Sequence, residues 1–388
     1  MKILFVLEYA HAYGGMQHSV ILLARNLVKL GESVGVLLPA EGVAAAKYRE
    51  LGARVFLDPH GEPWRLSAKA PLGCWRSWRR FQGAFVDVLN EFQPHVVHCN
   101  NITAAIFVDW SLPRSHSTRK LFTYRGDLLS GISRRVLARA LRRCDAVTVT
   151  TDFQKDVTER RLGVSPERIV KIPNAVDSRF LNAEATGEAS DAVECPITAT
   201  GLKVGVLGFP NKRKNQELLL RAAYEMRNED LDVTFFICGQ ANIPSDVQYL
   251  DYLVQLASEL GVADVVRFPG YVSPAYAAMR ALDIVVSTSR REGFGRTIIE
   301  AWAMRRPVIA TRSGGPECII DHGINGELTD RDDPKELAER LTRLLRDPDL
   351  RAAYADAGYQ KVVSEYREED VAQRMVDLYD ALLTRGRI

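Results

Sequence analysis

Two carboxylates in the last third of the chain, Glu292 and Glu300, flank a glycine-containing turn that leads into an apolar helical pattern. The turn Glu292-Gly293-Phe294-Gly295 runs directly into Arg296-Thr297-Ile298-Ile299-Glu300. A helix that begins at such a turn presents backbone N–H groups and the positive end of its dipole, and both suit a phosphate. Glu300 lies one helical turn further along, where it can accept hydrogen bonds from neutral hydroxyls. A phosphate-binding helix end with hydroxyl acceptors on both sides predicts a pocket for a sugar nucleotide.

Three more motifs follow this turn in a fixed order: Pro307-Val308-Ile309-Ala310-Thr311, Gly314-Gly315-Pro316-Glu317 and Asn325-Gly326-Glu327-Leu328. Together with the E-x7-E spacing of Glu292 and Glu300, this order resembles the retaining glycosyltransferases of family four. The resemblance implies the GT-B fold, an α/β architecture of two facing Rossmann-like domains, each with a doubly wound parallel sheet, and a cleft between them. It also implies transfer of a hexose from a nucleoside diphosphate sugar to a hydroxyl, with retained anomeric configuration and without a bound metal ion or other cofactor.

The arrangement of apolar segments independently favours an α/β class with two domains. Short apolar runs alternate with amphipathic segments along the chain, which predicts parallel sheets covered on both faces by helices. A length of 388 residues favours two domains over one. The segment 183–200 has no helical or strand period and is predicted to be a linker. We therefore expect an N-terminal domain over 1–182, which the resemblance assigns to the acceptor, and a nucleotide-sugar-binding domain over 201–366. The resemblance further implies that a final helix, 367–388, crosses back to the first domain.

A glycine pair, Gly14-Gly15, follows the first predicted strand, Lys2–Glu8. Glycines at a strand-to-helix turn let the backbone approach a phosphate closely, although a tight turn alone also explains them. The family has a Gly-Gly loop here that closes over the donor phosphates, so the resemblance implies a donor-binding role. No G-x-G-x-x-G follows either this strand or Lys203–Leu207, which argues against a dinucleotide-dependent dehydrogenase.

A basic cluster follows the strand Lys203–Leu207 and reads Gly208-Phe209-Pro210-Asn211-Lys212-Arg213-Lys214. The family has a glycine, an arginine and, five residues later, a lysine, and the two basic residues bind the diphosphate. Gly208 and Lys214 match this pattern, but Phe209 stands where the arginine is expected. Lys212 and Arg213 are alternative replacements for that arginine. A lysine at a helix start is electrostatically unfavourable unless an anion offsets it, which favours a ligand-binding role for Lys214.

Arg125 follows the strand Lys120–Tyr124, where many family members have a histidine that contacts the transferred sugar. An arginine cannot shuttle protons near neutral pH, but it can hold a phosphate or sugar oxygen. A surface salt bridge to Asp127 is the alternative role for Arg125. Asn100 and Asn101 follow the strand His95–Cys99 and are weaker candidates for the acceptor side, together with Asp127, because such residues are more often turn formers.

The predicted site therefore has a catalytic, a donor-binding and an acceptor-side group. Glu292, Lys214 and Arg125 are the candidate catalytic residues, and Tyr271 and Val272 stand where the family's backbone meets the nucleobase. The predicted donor-binding residues are Gly14, Gly15, Gly208, Lys214, Tyr271, Val272, Gly293, Phe294, Gly295, Arg296, Thr297 and Glu300. The pairs Asp230-x-Asp232, Asp330-x-Asp332 and Asp347-x-Asp349 adjoin helix starts or turns, so we expect them to act as caps rather than as metal ligands.

Composition and charge bear on the partners. The net charge is +2, but residues 1–180 hold 26 Lys and Arg against 16 Asp and Glu, whereas residues 181–388 hold 25 against 33. Arginines adjoin tryptophans at Trp75-Arg76 and Trp78-Arg79-Arg80, a pattern found at anionic membrane surfaces and also around core tryptophans with a solvated basic face. We expect a nucleotide-sugar donor, a glycan or lipid-linked acceptor in cell-surface polysaccharide synthesis, and an anionic membrane as a candidate partner. We expect no nucleic-acid partner, since no aromatic-basic single-strand motif or zinc finger is present.

The six cysteines have no paired spacing, which favours reduced thiols in a cytoplasmic protein, with peripheral attachment to the inner membrane face as a candidate location. Two alternatives to a transferase remain. A sugar-nucleotide 2-epimerase would have the same fold, and a non-catalytic nucleotide-sugar-binding protein would fit the departures at Phe209 and Arg125.

Overall fold

The structure is a computed structural model that describes residues 1–9, 14–67, 70–113, 116–125, 131–186 and 195–384. Asp127 lies outside the described residues. The chain divides into two compact units. One consists of Met1–Ala175 together with Glu368–Ile388, and the other of Val176–Arg367. Each unit contains one parallel β-sheet covered by helices, which confirms the predicted α/β class.

The first unit contains a seven-stranded sheet in the order β3-β2-β1-β4-β5-β6-β7. Its strands are β1 (Lys2–Val6), β2 (Ser33–Leu38), β3 (Arg54–Leu57), β4 (Val96–Cys99), β5 (Arg119–Tyr124), β6 (Ala146–Val149) and β7 (Ile169–Lys171). Its helices up to residue 156 are α1 (Gly15–Lys29), α2 (Val43–Glu50), α3 (Pro71–Phe92), α4 (Ile102–Ser111), α5 (Gly131–Leu141) and α6 (Asp152–Asp156). The chain proceeds outward from β1 to β3 and then returns to place β4 on the other side of β1.

The second unit repeats this plan with six parallel strands in the order β10-β9-β8-β11-β12-β13. A first helix, α7 (Ser178–Thr186), precedes the strands β8 (Leu202–Leu207), β9 (Val233–Cys238), β10 (Val266–Gly270), β11 (Ile284–Ser287), β12 (Val308–Thr311) and β13 (Glu327–Thr329). The helices between and after them are α8 (Glu217–Glu225), α9 (Pro244–Glu259), α10 (Ala275–Ala281), α11 (Arg296–Ala303), α12 (Pro316–Ile319), α13 (Pro334–Arg346) and α14 (Pro348–Glu365). The order of the strands reverses between β8 and β11.

Apolar side chains on both faces explain why the strands are parallel and central. All four residues of β11 and all four of β12 are buried. A strand covered on both sides needs apolar residues at every position rather than alternation, and the Ile, Val and Ala content of these segments meets that need. Both sheets therefore lie in the interior of their units.

The segment predicted as a linker, 183–200, differs from this expectation. Helix α7 continues to Thr186, and Phe180 and Ala183 on it are buried in the core of the second unit. The unit begins at Val176, whose backbone N–H donates to the carbonyl of Tyr366 at 2.8 Å. Composition alone missed this helix because its residues are mostly small or polar and its apolar anchors lie at its start.

The last helix, α15 (Glu368–Thr384), belongs to the first unit. Its residues Val371, Met375 and Tyr379 are buried in the same apolar cluster as strand residues Ile3 and Val36. Among the described residues, no helix has the length and apolar character needed to span a bilayer.

Close packing between α11 and α14 fixes the helix that starts at the predicted donor site. Trp302 on α11 is fully buried, and a Cβ atom at Gly358 on α14 would lie 2.2 Å from its ring. We expect Gly358→Ala to destabilise the protein by about 1–3 kcal/mol, because overpacking displaces the indole. Gly83→Ala, on an exposed position of α3 with nothing within 4 Å, is the matched control.

The control substitution should leave stability unchanged or raise it, since alanine favours a helix more than glycine does. Urea unfolding followed by circular dichroism and tryptophan emission measures both variants. Equal stabilities for Gly358→Ala and the parent would show that the α11–α14 contact is not tightly packed.

Candidate active site

The reversal of strand order in the second sheet brings two loops together. The loop after β8 contains Gly208 and Lys214, and the loop after β11 contains Glu292 and the turn to α11. Ligands of open α/β sheets bind at the carboxyl ends of the strands where the order reverses. The two sequence motifs with the most chemistry therefore lie side by side at the position where such a fold binds its ligand.

Hydrogen bonds join the two loops along their length. The Thr288 hydroxyl donates to the carbonyl of Lys214 at 2.8 Å, and the backbone N–H of Arg290 donates to the carbonyl of Arg213 at 2.8 Å. The Arg213 guanidinium donates to the carbonyl of Arg291 at 3.3 Å. These bonds fix the position of each basic side chain relative to Glu292.

Lys214 and Glu292 form the central contact of the site. The Lys214 ammonium donates to Glu292 Oε2 at 2.7 Å, the Arg213 guanidinium lies 3.7 Å from the same oxygen, and the Ser289 hydroxyl donates to it at 3.4 Å. Burial raises the pKa of the Glu292 carboxyl, but the charges of Lys214 and Arg213 and the Ser289 hydrogen bond outweigh this effect. The Glu292 pKa therefore lies below its usual value, and the carboxyl is ionised at neutral pH.

Of the two candidates to replace the missing arginine, the structure brings Arg213 to the site. Both residues are exposed and lie in the described part of the chain, but only the Arg213 guanidinium of the two forms an ion pair with Glu292, at 3.7 Å. Phe209 itself accepts a hydrogen bond at its backbone carbonyl from the Gln216 amide at 3.1 Å. Sequence reasoning did not single out Ser289, and no spacing pattern marked it.

The Gly-Gly-Pro-Glu motif positions Glu292 through the backbone. The N–H of Glu292 donates to the carbonyl of Ser313 at 2.9 Å, and Gly315 N–H donates to the carbonyl of Glu292 at 2.7 Å. A Cβ atom at Gly315 would lie 2.5 Å from the nitrogen of Phe294, so this close approach requires glycine. The Glu317 carboxylate accepts from the N–H groups of Ser313 and Gly314 at 2.9 and 2.7 Å, which holds the loop in place.

Helix α11 begins at Gly295, which has a left-handed backbone with φ 98° and ψ 57°. Phe294 is buried and packs edge-to-face on Tyr366 at 5.9 Å between ring centroids, which anchors the turn. Gly295 has no side chain to cap the first turn, which includes the amides of Arg296 and Thr297, and its carbonyl accepts from the Ile298 N–H at 3.0 Å. The start of α11 therefore has the dipole and the backbone geometry that suit an anion.

The remaining predicted donor residues differ in their surroundings. Glu300 Oε1 accepts from the Arg296 guanidinium at 2.6 Å, so one of its oxygens is engaged within the helix. Tyr271, directly after β10, is 62% exposed, whereas Val272 is buried. Gly293 lies in the turn between Glu292 and Phe294. No group of three or more His, Cys, Asp or Glu side chains among the described residues is arranged to hold a metal ion.

In the first unit the corresponding reversal lies between β1 and β4. Gly14 is the N-cap of α1 and Gly15 its first residue, and both follow β1. After β4, the Asn101 side chain caps α4 by accepting from Ala104 N–H at 2.9 Å. Asn100 is buried, and within the part of the chain that the structure describes neither side-chain polar atom has a hydrogen-bond partner. Burial without a partner makes Asn100 a stronger ligand-binding candidate than Asn101.

Arg125 follows β5 and is held by Asn174. Its guanidinium donates to Asn174 Oδ1, and the Ser19 hydroxyl donates to the same oxygen at 3.3 Å. Burial and the Arg125 charge lower the pKa of the buried His98 to about 3, so the imidazole is neutral. Asn174, in the segment Pro173-Asn174-Ala175, therefore positions Arg125, a role that the sequence did not indicate.

Comparison with known proteins supports the predicted resemblance to glycosyltransferases in both units. The model "Glycosyltransferase Family 4" matches residues 13–180, and "Glycosyl transferases group 1" matches residues 198–361. The D-inositol 3-phosphate glycosyltransferase of Corynebacterium urealyticum is 28% identical over 96% of this chain and 91% of its own length. The lipopolysaccharide core biosynthesis glycosyltransferase LpsD of Rhizobium meliloti is 28% identical over 95% of both chains.

Solved structures agree with the fold. Anabaena Alr3699/HepE in complex with UDP has a TM-score of 0.81 and 21% identity over 98% of this chain and 100% of its own. Sucrose-phosphate synthase from Thermosynechococcus elongatus has a TM-score of 0.80 and 20% identity over 99% and 100%. The two family models, which together span most of the sequence, and the two-domain GT-B architecture establish that this chain belongs to the family-four-like glycosyltransferases.

Proposed function

We propose that this glycosyltransferase moves a hexose from a uridine diphosphate sugar to a hydroxyl of a glycan or lipid-linked acceptor, with retained anomeric configuration. The product would contribute to cell-surface polysaccharide. The observation that carries this proposal is the contact between Lys214 and Glu292 at the strand reversal of the second sheet, beside the start of α11. It combines a cation for a diphosphate, an ionised carboxylate for a sugar and a helix end in one place.

The diphosphate is the leaving group, and negative charge grows on it as the sugar departs. Lys214, Arg213 and the first-turn amides of α11 are the preorganised positive groups that would stabilise this charge. Such groups can replace the metal ion that other transferases use, so we propose that no metal is required. When the diphosphate binds Lys214, Glu292 is released from its ion pair and becomes an acceptor for sugar hydroxyls or a counter-charge for the developing positive ring.

We propose retention because the E-x7-E motif of Glu292 and Glu300 resembles that of retaining enzymes. Apart from Glu292, which Lys214 and Arg213 already hold, no side chain of this site is a candidate covalent nucleophile among the residues that the structure describes. We therefore propose that the acceptor hydroxyl attacks from the face that the diphosphate leaves, with the leaving phosphate assisting proton transfer.

The choice of uridine and of acceptor is supported by similar proteins. HepE binds UDP in its crystal structure, and the exposed Tyr271 with the buried Val272 offers a position for the base. The acceptors named for the two relatives, inositol phosphate and lipopolysaccharide core, suit the positive balance of residues 1–180. We propose that the enzyme acts at the cytoplasmic face of the membrane, where lipid-linked acceptors are available.

The proposal is tested in two steps. A thermal-shift series with UDP, GDP and dTDP should show the largest rise in melting temperature with UDP, since a ligand that binds the folded state stabilises it. Transfer from an α-linked UDP-hexose to inositol phosphate or to a lipopolysaccharide core oligosaccharide should then give an α-linked product by proton NMR. A β-linked product would contradict retention, and epimerised donor without transfer would indicate a 2-epimerase instead.

Removal of the central cation should weaken donor binding. We expect Lys214→Ala to lower UDP affinity by about 10- to 100-fold, the loss expected for one hydrogen bond to a charged group. Isothermal titration calorimetry with UDP measures this effect. Lys335→Ala, which removes an exposed lysine at the start of α13, is the matched control and should bind UDP as the parent does. Equal affinities for Lys214→Ala and the parent would place the diphosphate elsewhere.

Removal of the carboxylate charge should separate binding from catalysis. We expect Glu292→Gln to lower kcat by about 100-fold or more, since it removes a charge that acts in the transition state. UDP affinity should be unchanged or higher, because a negative charge that competes for Lys214 has been removed. Transfer rates and UDP calorimetry measure the two effects, and Glu225→Gln, at an exposed position on α8, is the control. A parallel loss of UDP affinity would indicate a structural role for Glu292.

A further inference from the structure

The first unit contains a cavity that the donor chemistry does not use. It lies among the start of α3, the end of α4 and helix α5, and it has a volume of about 660 Å³. Apolar side chains form most of its lining, including Leu66, Trp75, Trp78, Trp110 and Val136. We refer to it as the tryptophan cavity. Its volume is in the range of small-molecule sites, which are concave and mostly apolar.

The mouth of the tryptophan cavity is apolar and exposed. Trp75 is 56% exposed and Trp110 is 42% exposed, and Leu72, one turn before the first of these, is 74% exposed. Trp78 packs edge-to-face on Trp110 at 6.0 Å between centroids, and its indole N–H donates to Ser111 Oγ at 3.1 Å. Large apolar side chains clustered at an opening mark a binding site more often than isolated ones do.

The helices that border this cavity are rich in arginine: Arg79 lies over the Trp75 ring at 5.9 Å, Arg80 is paired with Glu62, and Arg143 is part of the lining. The first turns of α3 contain Arg76, Arg79 and Arg80, and residues 131–143 contain Arg134, Arg135, Arg139, Arg142 and Arg143, with no Asp or Glu in residues 71–82 or 131–143. The acidic residue in the lining, Asp109, is buried and is neutralised by Lys120 at 3.1 Å and by Arg143 at 3.3 Å. The cavity therefore combines an apolar interior with a positive rim.

Two polar side chains of the lining, Ser111 and Asp109, are already engaged within the protein, whereas Arg143 Nε is buried and has no hydrogen-bond partner among the described residues. Ser111 accepts from Trp78, and Asp109 is bound by two cations. A peptide inserted here would leave backbone N–H and C=O groups without partners, which is costly, whereas a hydrocarbon chain needs none. A positive rim in turn favours an anionic headgroup, and arginine pairs well with phosphate.

We propose that the tryptophan cavity binds one hydrocarbon chain of an anionic membrane lipid, with its phosphate held by the arginines of α3 and α5. Lipid binding would hold the enzyme at the surface that carries a lipid-linked acceptor, and this role rests on the proposed function. Lipid binding itself requires neither donor nor catalysis. The two claims can therefore fail separately.

Tryptophan emission quenched by brominated lipid tests the proposal. Vesicles that contain phosphatidylglycerol with dibrominated chains should quench emission at low salt, and vesicles of dibrominated phosphatidylcholine should quench it much less. Trp302 is fully buried in the second unit, so its emission should persist. The variant Trp75→Phe/Trp78→Phe/Trp110→Phe should lose most of the quenching.

Two further variants separate insertion from adsorption. Val136→Phe narrows the cavity and leaves the rim arginines intact, so quenching should fall while vesicle sedimentation is largely kept. Val247→Phe, at an exposed position on α9 in the second unit, is the matched control and should quench as the parent does. Arg135→Glu/Arg139→Glu changes exposed residues that leave the core intact, and it should weaken vesicle affinity by about 10-fold or more.

Equal quenching by the two lipids would overturn the proposal, and so would full quenching in Val136→Phe. Absence of quenching at any lipid concentration would also overturn it. UDP calorimetry on the same preparation keeps that outcome separate from a failure of the proposed function.

Discussion

The ion pair of Lys214 and Glu292 is the contact on which the proposed chemistry depends. Both side chains are mostly removed from water, and a pair in such a position contributes little net stability because desolvation offsets much of the attraction. A second cation and a hydroxyl are directed at the same carboxylate oxygen, which is more than a structural pair needs. A positive excess around one carboxylate is the arrangement expected of a site that awaits a further anion.

Main-chain hydrogen bonds fix the position of Glu292 in this ion pair. Glu292 is held on both sides by main-chain hydrogen bonds to the loop after β12, and that loop is held by the Glu317 carboxylate. The same segment then turns at Gly295 to begin α11, whose far end is fixed by the packing of Trp302 on Gly358. The carboxylate and the helix start therefore form one rigid body, which is the preorganisation that charge stabilisation requires.

The sequence predicted the individual residues of this site, but it did not predict that Lys214 and Glu292 contact each other. Buried strands identified the sheets because both faces are covered, and the glycine turn identified the start of α11 because few other residues adopt its backbone. Lys214 and Glu292 are 78 residues apart, and their contact depends on β8 and β11 being neighbours. Nor could spacing decide between Lys212 and Arg213, since adjacent loop residues differ in direction only once the loop is folded. Helix α7 was missed for a similar reason, because Phe180 and Ala183 acquire their apolar surroundings only in the folded unit.

In the first unit, the helix at the end of the chain contacts strands that are formed by its first half. Tyr379 on α15 is fully buried, and its hydroxyl lies 2.7 Å from His98 Nδ1, while His98 Nε2 lies 2.6 Å from the Thr123 hydroxyl. This chain of hydrogen bonds links α15, β4 and β5 just before Asn100, an acceptor-side candidate, and Arg125, a candidate catalytic residue. A neutral His98 can donate with one ring nitrogen and accept with the other, so both neighbours are satisfied without a buried charge. Tyr379 on α15 supplies one end of this series of hydrogen bonds and lies 281 positions after His98. The geometry near Asn100 and Arg125 therefore depends on a residue that is distant in sequence.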